Sequence, residues 1–340
     1  MARSSGSKSA DDSSKDKAEG PRQKASKDRD QSGQAKGADV HEFPASKEQF
    51  WAEKREPKPP YPQQHQAKPG LESEIEPRPR YQAPEYRAAG KLKRKAALIT
   101  GGDSGIGRAV AVLYARERAD VAIVYLREEQ ADAEETKRAI EEGGGRVLLI
   151  PGDVTDEEFC RRAVEQTVDE FGRLDILVNN AAFQQHQPGL DELSDEQWDR
   201  TFKTNIYGYF YMAKAALPYL RPGSAIINTG SETGLVGSKH LLDYSATKGA
   251  IHAFTKSLAQ NLMDKGIRVN CVAPGPVWTP LNIADKPAEK VAQHGKNVPM
   301  GRAAQPEEIA PAYVFFASDA DSSYVTGEVL TLMGGETTAA

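Results

Sequence analysis

The sequence predicts one doubly wound α/β domain with a parallel sheet of about seven strands, extending over residues 91–340. Short apolar runs rich in β-branched residues alternate there with long amphipathic segments such as "GRAVAVLYARER" and "DEEFCRRAVEQTVDEFG". Strands that are apolar along their whole length belong to parallel sheets covered by helices on both faces. The predicted strands are 96–100, 121–125, 147–150, 174–180, 224–229, 267–273 and 329–333.

The first ninety residues have a different character. Residues 1–40 contain no branched aliphatic or aromatic residue before Val40, so we expect a disordered polar tail. Residues 41–90 place aromatic residues among many prolines, which disfavour long helices and favour extended chain. We expect an arm that either lies along a folded surface, which could belong to a neighbouring subunit, or serves as a flexible spacer.

Composition excludes several function classes. No window approaches the roughly 18 uninterrupted apolar residues of a membrane span, and the N-terminus lacks the apolar run of a secretory signal. The only cysteines, Cys160 and Cys271, lie in apolar patterns, which fits a cytoplasmic protein and provides no disulfide or metal framework. A net charge of -5 argues against nucleic acid as the principal partner. The polar tail, with nine Lys or Arg against seven Asp or Glu, is no basic arm either.

A glycine-rich turn follows the first predicted strand. In "TGGDSGIGRAVA", Gly101, Gly105 and Gly107 fall where the backbone must turn tightly and approach a pyrophosphate. The N-terminus of the next helix presents free N–H groups to that anion. The alternative is that glycine occurs in such a turn only because the backbone there has a positive φ. Three glycines opening the first βα unit favour a dinucleotide site, which would include Asp103, Ser104 and Ile106.

The residues at the end of the second strand distinguish NAD, with a free ribose 2′-OH, from NADP, with a 2′-phosphate. An acidic residue there holds a ribose 2′-OH, whereas an arginine accommodates a 2′-phosphate. After Tyr125 the sequence has Leu126, Arg127 and Glu128. Arg127 favours NADP, and Glu128 would instead favour NAD; either side chain could also simply be solvated.

The third strand ends in a further polar turn. In "PGDVT", Asp153 and Val154 lie where an adenine edge would be, although Asp153 could instead cap the next helix.

Tyr244 and Lys248 are separated by four residues in the helical stretch "LLDYSATKGAIHAF", so both lie on one helix face. An ammonium group beside a phenol favours tyrosinate and makes tyrosine a usable proton donor and acceptor. The alternative is a core tyrosine with a lysine that reaches solvent. Ser231 precedes Tyr244 by thirteen residues at the end of a predicted strand, where ligands bind in such sheets.

These motifs together resemble the short-chain dehydrogenase/reductase family. "TGGDSGIG", "NNAA", "TNIYG", the serine of "TGS", "YSATK" and "PGPVWT" occur in the family's order and cover essentially all of 91–340. The resemblance implies a Rossmann-like sheet of seven parallel strands, NAD(P) as cofactor and a homotetramer. The sequence is most similar to a bacterial subgroup of aldehyde reductase-like enzymes with a proline-rich N-terminal extension.

The resemblance also implies roles for individual residues. Tyr244 would be the acid in carbonyl reduction and the base in alcohol oxidation. Lys248, together with the positive nicotinamide of the oxidised cofactor, would lower the pKa of Tyr244. Lys248 would also bind the nicotinamide ribose, and Ser231 would bind the substrate oxygen. Asn205, in "TNIYG", would hold a water that relays protons from Lys248, although a mid-helix asparagine more commonly just bends its helix.

The remaining expected contacts lie in three short segments. Asn180 and Ala181 would lie near the cofactor, with Asn179 bracing the central strands. The turn that includes Pro274, Gly275 and Val277 would bind the nicotinamide amide, with Thr279 at the phosphates. The expected substrate contacts are Ser231, Thr233, Gln184 and Trp278.

The segment 278–299 is either a lid or an ordinary surface excursion. His186 and His240 flank the expected pocket without other ligands at metal spacing, so we expect no metal site. The complete set of Asn205, Ser231, Tyr244 and Lys248 favours an NAD(P)-dependent oxidoreductase acting on a small aldehyde, ketone or alcohol. A nucleotide-binding scaffold or redox-sensing regulator is the alternative on the same fold.

Overall fold

The computed structural model describes residues 56–337, and within them a single sheet of seven parallel strands confirms the predicted fold class. Its spatial order is β3-β2-β1-β4-β5-β6-β7. The strands are β1 Ala96–Thr100, β2 Asp120–Tyr125, β3 Val147–Pro151, β4 Ile176–Asn179, β5 Ala225–Thr229, β6 Arg268–Pro274 and β7 Val329–Leu332. Each overlaps one predicted apolar run.

Helices cover both faces of this sheet. The helices described are α1 Gly105–Arg116, α2 Gln130–Glu142, α3 Glu157–Phe171, α4 Asp195–Phe202, α5 Gly208–Ala216, α6 Thr233–Val236, α7 Leu242–Asn261, α8 Pro280–Ile283, α9 Ala288–Val291, α10 Pro306–Ala317 and α11 Asp319–Ser322. A π-helical turn, Lys203–Tyr207, joins α4 to α5. None of the helices described in 56–337 combines the length and apolar character needed to cross a bilayer.

The alternation of side chains along each strand divides the core into two layers. Ile99 of β1 packs on the face covered by α1, α2 and α10, whereas its neighbour Leu98 packs on the face covered by α3, α5 and α7. All five residues of β1 are buried, as a central strand in a two-sided sheet requires. The fully apolar strands of the sequence therefore have a direct structural cause.

The sheet order reverses between β1 and β4, which are neighbours although β2 and β3 intervene in sequence. The connections after these two strands leave on opposite faces, so a crevice opens at their carboxyl ends. Asn179 donates from Nδ2 to Oδ1 of Asn228 at 2.9 Å, which ties the end of β4 to β5 as predicted. The candidate residues are gathered at this edge.

Residues Pro57 to Gly90 belong to the same compact unit as the α/β domain. The centroids of the Tyr61 and Trp278 rings lie 4.1 Å apart, and Ile75 is buried beside them. Trp278 Nε1 donates a hydrogen bond to Pro77 O at 2.7 Å. This revises the domain boundary that we expected at residue 91, because apolar side chains of the expected arm fill a core cluster of the domain. The segment lies on its own chain's domain, and residues 1–55, with the predicted tail, lie outside the described part.

Candidate active site

A cleft of about 1340 Å³ opens at the carboxyl ends of the strands. Most of the residues that the sequence predicted for cofactor and substrate line it. They are Gly101, Asp103, Ser104, Gly105, Ile106, Tyr125, Leu126, Asp153, Val154, Asn180, Ala181, Gln184, Ser231, Thr233, Tyr244, Lys248, Pro274, Gly275, Val277 and Thr279. Gly107, Arg127, Asn205 and Trp278 do not line it, each for a different reason.

The glycine-rich turn has the geometry of a phosphate loop. Gly101 and Gly105 have φ values of 64° and 52°, in the left-handed region that favours glycine. A Cβ at Gly107 would lie 1.8 Å from Gly101 O, so only glycine lets the loop fold back on α1. Thr279 packs against Gly105 and also lines the cleft, and its contact with a cofactor phosphate stays a prediction.

A buried ion pair, absent from our sequence predictions, supports this loop. Glu72 accepts a hydrogen bond from Gly105 N at 2.5 Å, and its other oxygen lies 2.8 Å from Arg108 Nη1. Arg108 also lies 3.1 Å from Asp132 Oδ1, and its Nε donates to Asp103 O at 2.7 Å. Arg108 and Glu72 are both fully buried. An arginine within the apolar run after the glycines was the only sequence signal of this cluster.

The electrostatics of the cluster follow from its burial. Burial raises the pKa of Glu72 to about 7, although the Arg108 charge and the Gly105 hydrogen bond oppose the shift. Burial likewise raises the pKa of Asp103, in the loop itself, to about 6. Several carboxyl groups therefore depend on one guanidinium for their charge compensation.

The adenosine end of the cleft differs from the expectation at Arg127. The Arg127 side chain is exposed and does not line the cleft, whereas Glu128 and Glu129 do. Glu129 Oε2 accepts a hydrogen bond from Leu126 N at 3.1 Å, and burial raises the pKa of Glu129 to about 9. Arg127 begins the short turn Arg127–Glu129, and its contact with a 2′-phosphate stays a prediction.

Asp153 lines the cleft and does not cap α3. Its Oδ1 accepts from Thr155 N at 2.9 Å within the turn, while Asp156 is the N-cap residue and accepts from Glu158 N. The capping alternative for Asp153 is therefore wrong, and its contact with an adenine edge stays a prediction.

Tyr244 and Lys248 lie on one face of α7, and both are buried. Lys248 Nζ lies 5.3 Å from the Tyr244 ring centroid and donates to Thr229 O at 2.8 Å. The lysine is only 1% exposed, so it does not reach solvent and that alternative is wrong. Ser231, just after β5, completes the group, and its Oγ accepts from Thr233 N at 3.2 Å.

Comparison with known proteins shows which family the chain resembles. The family model described as enoyl-(acyl carrier protein) reductase matches residues 101–337. The chain is 57% identical, over 81% of its length and 94% of the relative's, to an uncharacterized oxidoreductase, YhdF, of Bacillus subtilis (strain 168). It is 47% identical, over 80% and 96%, to NADPH-dependent aldehyde reductase 1, chloroplastic, of Arabidopsis thaliana.

A solved structure gives the same result. A short-chain dehydrogenase from Burkholderia cenocepacia J2315 in complex with NADP is 33% identical, with a TM-score of 0.67, covering 72% of this chain and 98% of that one. The chain belongs to the short-chain dehydrogenase/reductase family. It is an oxidoreductase of that family.

Burial shifts the pKa values of both Tyr244 and Lys248 in this short-chain dehydrogenase/reductase. Burial raises the pKa of Tyr244 well above its usual value, although the Ser231 side chain acts to lower it. Burial also lowers the pKa of Lys248 to about 7. The lowering of the tyrosine pKa by Lys248 and the oxidised nicotinamide together stays a prediction, because the shift in the protein alone arises mainly from desolvation.

The buried lysine predicts a pH-dependent stability. Its pKa is about 7 in the folded chain and ~10.4 in the unfolded chain, so between these values the unfolded chain binds more protons and stability rises with pH. At pH 6.5 we expect Lys248→Met to be more stable than the wild type, with a free energy of unfolding roughly 2 kcal/mol higher. This figure already subtracts the lost hydrogen bond to Thr229. The difference should shrink towards pH 9.5 in urea titrations. A difference that is constant across this range would contradict the low pKa.

Asn205 lies in the π-helical turn, beneath the cleft wall. Its Nδ2 donates to Phe183 O at 2.9 Å and to Thr247 Oγ1 at 3.0 Å, while its Oδ1 accepts from Phe183 N at 2.8 Å. The side chain therefore fastens the chain after β4 to α7. The irregular turn agrees with the helix-bending alternative, and the relay water stays a prediction.

Trp278 corrects our list of substrate contacts. It is fully buried against Tyr61 and Ile75 and does not line the cleft. The sequence could not reveal this, because its packing partners come from a segment some two hundred residues earlier. The rest of 278–299 does form a wall of the cleft, through residues such as Asn282 and Lys286.

The two histidines lie at the substrate end of the cleft. His186 Nδ1 contacts the Asp285 carboxylate, and His240 Nδ1 lies 3.2 Å from Gln187 O. In the part of the chain that the structure describes, three or more His, Cys, Asp or Glu residues nowhere converge as a metal site would require.

Proposed function

We propose that this oxidoreductase transfers hydride between NAD(P)(H) and the carbonyl or alcohol carbon of a small aldehyde, ketone or alcohol, with Tyr244 as acid and base. One observation carries the proposal: Tyr244, Lys248 and Ser231 meet at the wall of a cleft whose other end is a phosphate loop. A bound nicotinamide supplies the hydride. The residues here supply the proton and hold the substrate oxygen.

Each residue has a distinct task in carbonyl reduction. Ser231 Oγ donates to the carbonyl oxygen and holds it beside the Tyr244 hydroxyl. Tyr244 donates its proton as the oxygen gains negative charge. Lys248, held by Thr229 O, lies beside the phenol ring, where its charge favours tyrosinate after the transfer. Asn205, through Thr247, orients the helix that bears both residues.

The cofactor preference is the finer part of the proposal. The NADPH-dependent relative and the NADP complex described above support our preference for NADP(H). Glu128 and Glu129 on the cleft wall favour NAD(H) instead, since carboxylates repel a 2′-phosphate. The raised pKa of Glu129 reduces that repulsion because a neutral carboxyl group carries no charge.

We also propose that the enzyme is a cytoplasmic homotetramer. Tyr207 and Phe210, on adjacent turns of the helix around Asn205, are 46% and 44% exposed. Large exposed apolar side chains that cluster on one face mark surfaces of association. Light scattering at micromolar concentration tests the subunit number, and a monomer would contradict this part of the proposal.

The test of function follows absorbance at 340 nm with NADPH and NADH separately, against a panel of small aldehydes and ketones. We expect turnover by the wild type, faster with NADPH. Binding of both cofactors without turnover of any carbonyl compound would instead favour the nucleotide-binding scaffold. Faster turnover with NADH would mean that Glu128 and Glu129 decide the preference.

A further inference from the structure

The N-terminal segment forms part of the cleft wall. Lys68 and Pro69 line the cleft at its substrate end, although they precede the phosphate loop by more than thirty residues. Lys68 Nζ lies 3.0 Å from Asp285 Oδ1 and 5.1 Å from the centroid of the Phe183 ring. The neighbouring His65 Nδ1 lies 2.9 Å from Lys286 O, so the segment is bound to the chain around Asp285 at two points.

Asp285 joins this segment to the chain after β4. Its carboxylate accepts from His186 N at 2.9 Å and from Gln184 Nε2 at 3.1 Å, and it contacts His186 Nδ1. The Asp285 side chain is fully buried. Burial acts to raise the pKa of Asp285, but the hydrogen bond and charge of His186 and the charge of Lys68 lower it to about 2. An ionised aspartate thus holds three groups in place, and we call Lys68, Gln184, His186 and Asp285 the end wall.

The end wall presents hydrogen-bond donors to the cleft. The side chains of Lys68 and His186 are 24% and 28% exposed. Among the described residues Lys68 makes one hydrogen bond, to Asp285, which leaves two of its three ammonium hydrogens for a ligand. Asp285 balances the lysine charge, so this surface donates without a large net positive charge.

An acceptor lies in the same cleft. Glu232 follows Ser231, and its Oε2 is buried without a hydrogen-bond partner among the described residues. Glu232 and Asp285 both act on the pKa of Tyr244, after the larger effect of burial, so both lie within electrostatic reach of the phenol. A substrate that both accepts and donates hydrogen bonds matches these groups, whereas an anionic one would face the Glu232 carboxyl.

We propose that Lys68 is a specificity-determining residue, and that the end wall binds the hydroxyl groups of a small hydroxylated aldehyde whose carbonyl lies at Tyr244. The inference rests on the proposed reductase function and names its substrate class. A site built to bind a hydroxyl group discriminates strongly against the analogue without it, because buried polar groups are then left unpaired.

The test compares glyceraldehyde with propanal, which has the same carbon chain without the hydroxyl groups. We expect the wild type to prefer glyceraldehyde, and Lys68→Ala to reduce the ratio of the two kcat/KM values about tenfold, mainly through KM. Lys68→Arg should restore most of the ratio because it keeps the charge and the donors. Lys91→Ala is the matched control, since Lys91 pairs with Asp321 at 2.8 Å and does not line the cleft. The ratio of the two kcat/KM values in this variant should equal that of the wild type.

Both aldehydes are measured on one preparation, so an unfolded fraction in a variant cancels from the ratio. An unchanged ratio in Lys68→Ala would overturn the role of Lys68 while leaving the reductase function intact. A selective loss with succinic semialdehyde would show that Lys68 serves a carboxylate, and would overturn hydroxyl recognition. If the wild type reduces no carbonyl compound, the proposed function and this inference fail together.

Discussion

Tyr244→Phe is expected to lower kcat about a thousandfold while leaving cofactor affinity within about twofold of the wild type. In the proposed mechanism the hydroxyl is the proton donor beside the substrate oxygen, and general acid catalysis of this kind contributes roughly 10²–10⁴-fold. Phenylalanine keeps the ring that packs beside Lys248, so the site stays assembled. Stopped-flow turnover at 340 nm and calorimetric titration with NADPH measure the two quantities.

Tyr114→Phe is the matched control. Tyr114 is fully buried in α1, and its hydroxyl donates to Tyr313 O at 3.0 Å away from the cleft. Its loss should cost about 1 kcal/mol of stability with little change in kcat. Equal turnover by wild type and Tyr244→Phe would remove the tyrosine from the mechanism and with it the proposed role of α7.

Arg108→Met is expected to destabilise the enzyme by about 3–5 kcal/mol, the largest effect on stability that we predict. The guanidinium compensates the buried carboxylates of Glu72 and Asp132, and removal of one partner of a buried ion pair leaves charge uncompensated. The raised pKa of Glu72 fixes the sign of the pH dependence. The Arg108 charge lowers the pKa of Glu72, so without it the folded variant binds the Glu72 proton still more tightly than the wild type does. The variant then loses more folding free energy as pH rises, and the defect should be greater at pH 8 than at pH 5.5.

Urea unfolding at both pH values measures this. Arg146→Met is the control, because Arg146 is largely exposed and its contacts to Asp120 and Glu170 lie at 3.4 and 3.0 Å on the surface. Such pairs contribute about 0–1 kcal/mol. If the two variants proved equally stable, the buried cluster would not be what holds the N-terminal segment and the phosphate loop together.

The fold could be predicted from the sequence because its signals are local and periodic. Strands of the sheet such as Ala96–Thr100 are near-continuous apolar runs, and long helices such as Glu157–Phe171 carry an apolar stripe of the correct period. The glycines of the phosphate loop are required by backbone geometry at their own positions. The four-residue spacing of Tyr244 and Lys248 fixes their common face on any helix.

Other properties depend on contacts between distant parts of the chain. Nothing near Glu72 or Lys68 in sequence indicates that one supports the phosphate loop and the other the end wall. Their partners, Arg108 and Asp285, come from elements far along the chain. For the same reason Trp278, adjacent to a cofactor turn in sequence, packs away from the cleft.

The sequence by itself predicted the strands of the sheet, the glycine-rich loop and the common helix face of Tyr244 and Lys248, since these depend on short-range spacing and backbone sterics. Only the tertiary structure decided how deeply Tyr244 and Lys248 are buried, and hence the direction in which the pKa of each is shifted. It alone also left Arg127 exposed outside the cleft lining and brought Lys68 to the cleft. Desolvation and long-range packing are properties of the assembled fold, and no local pattern encodes them.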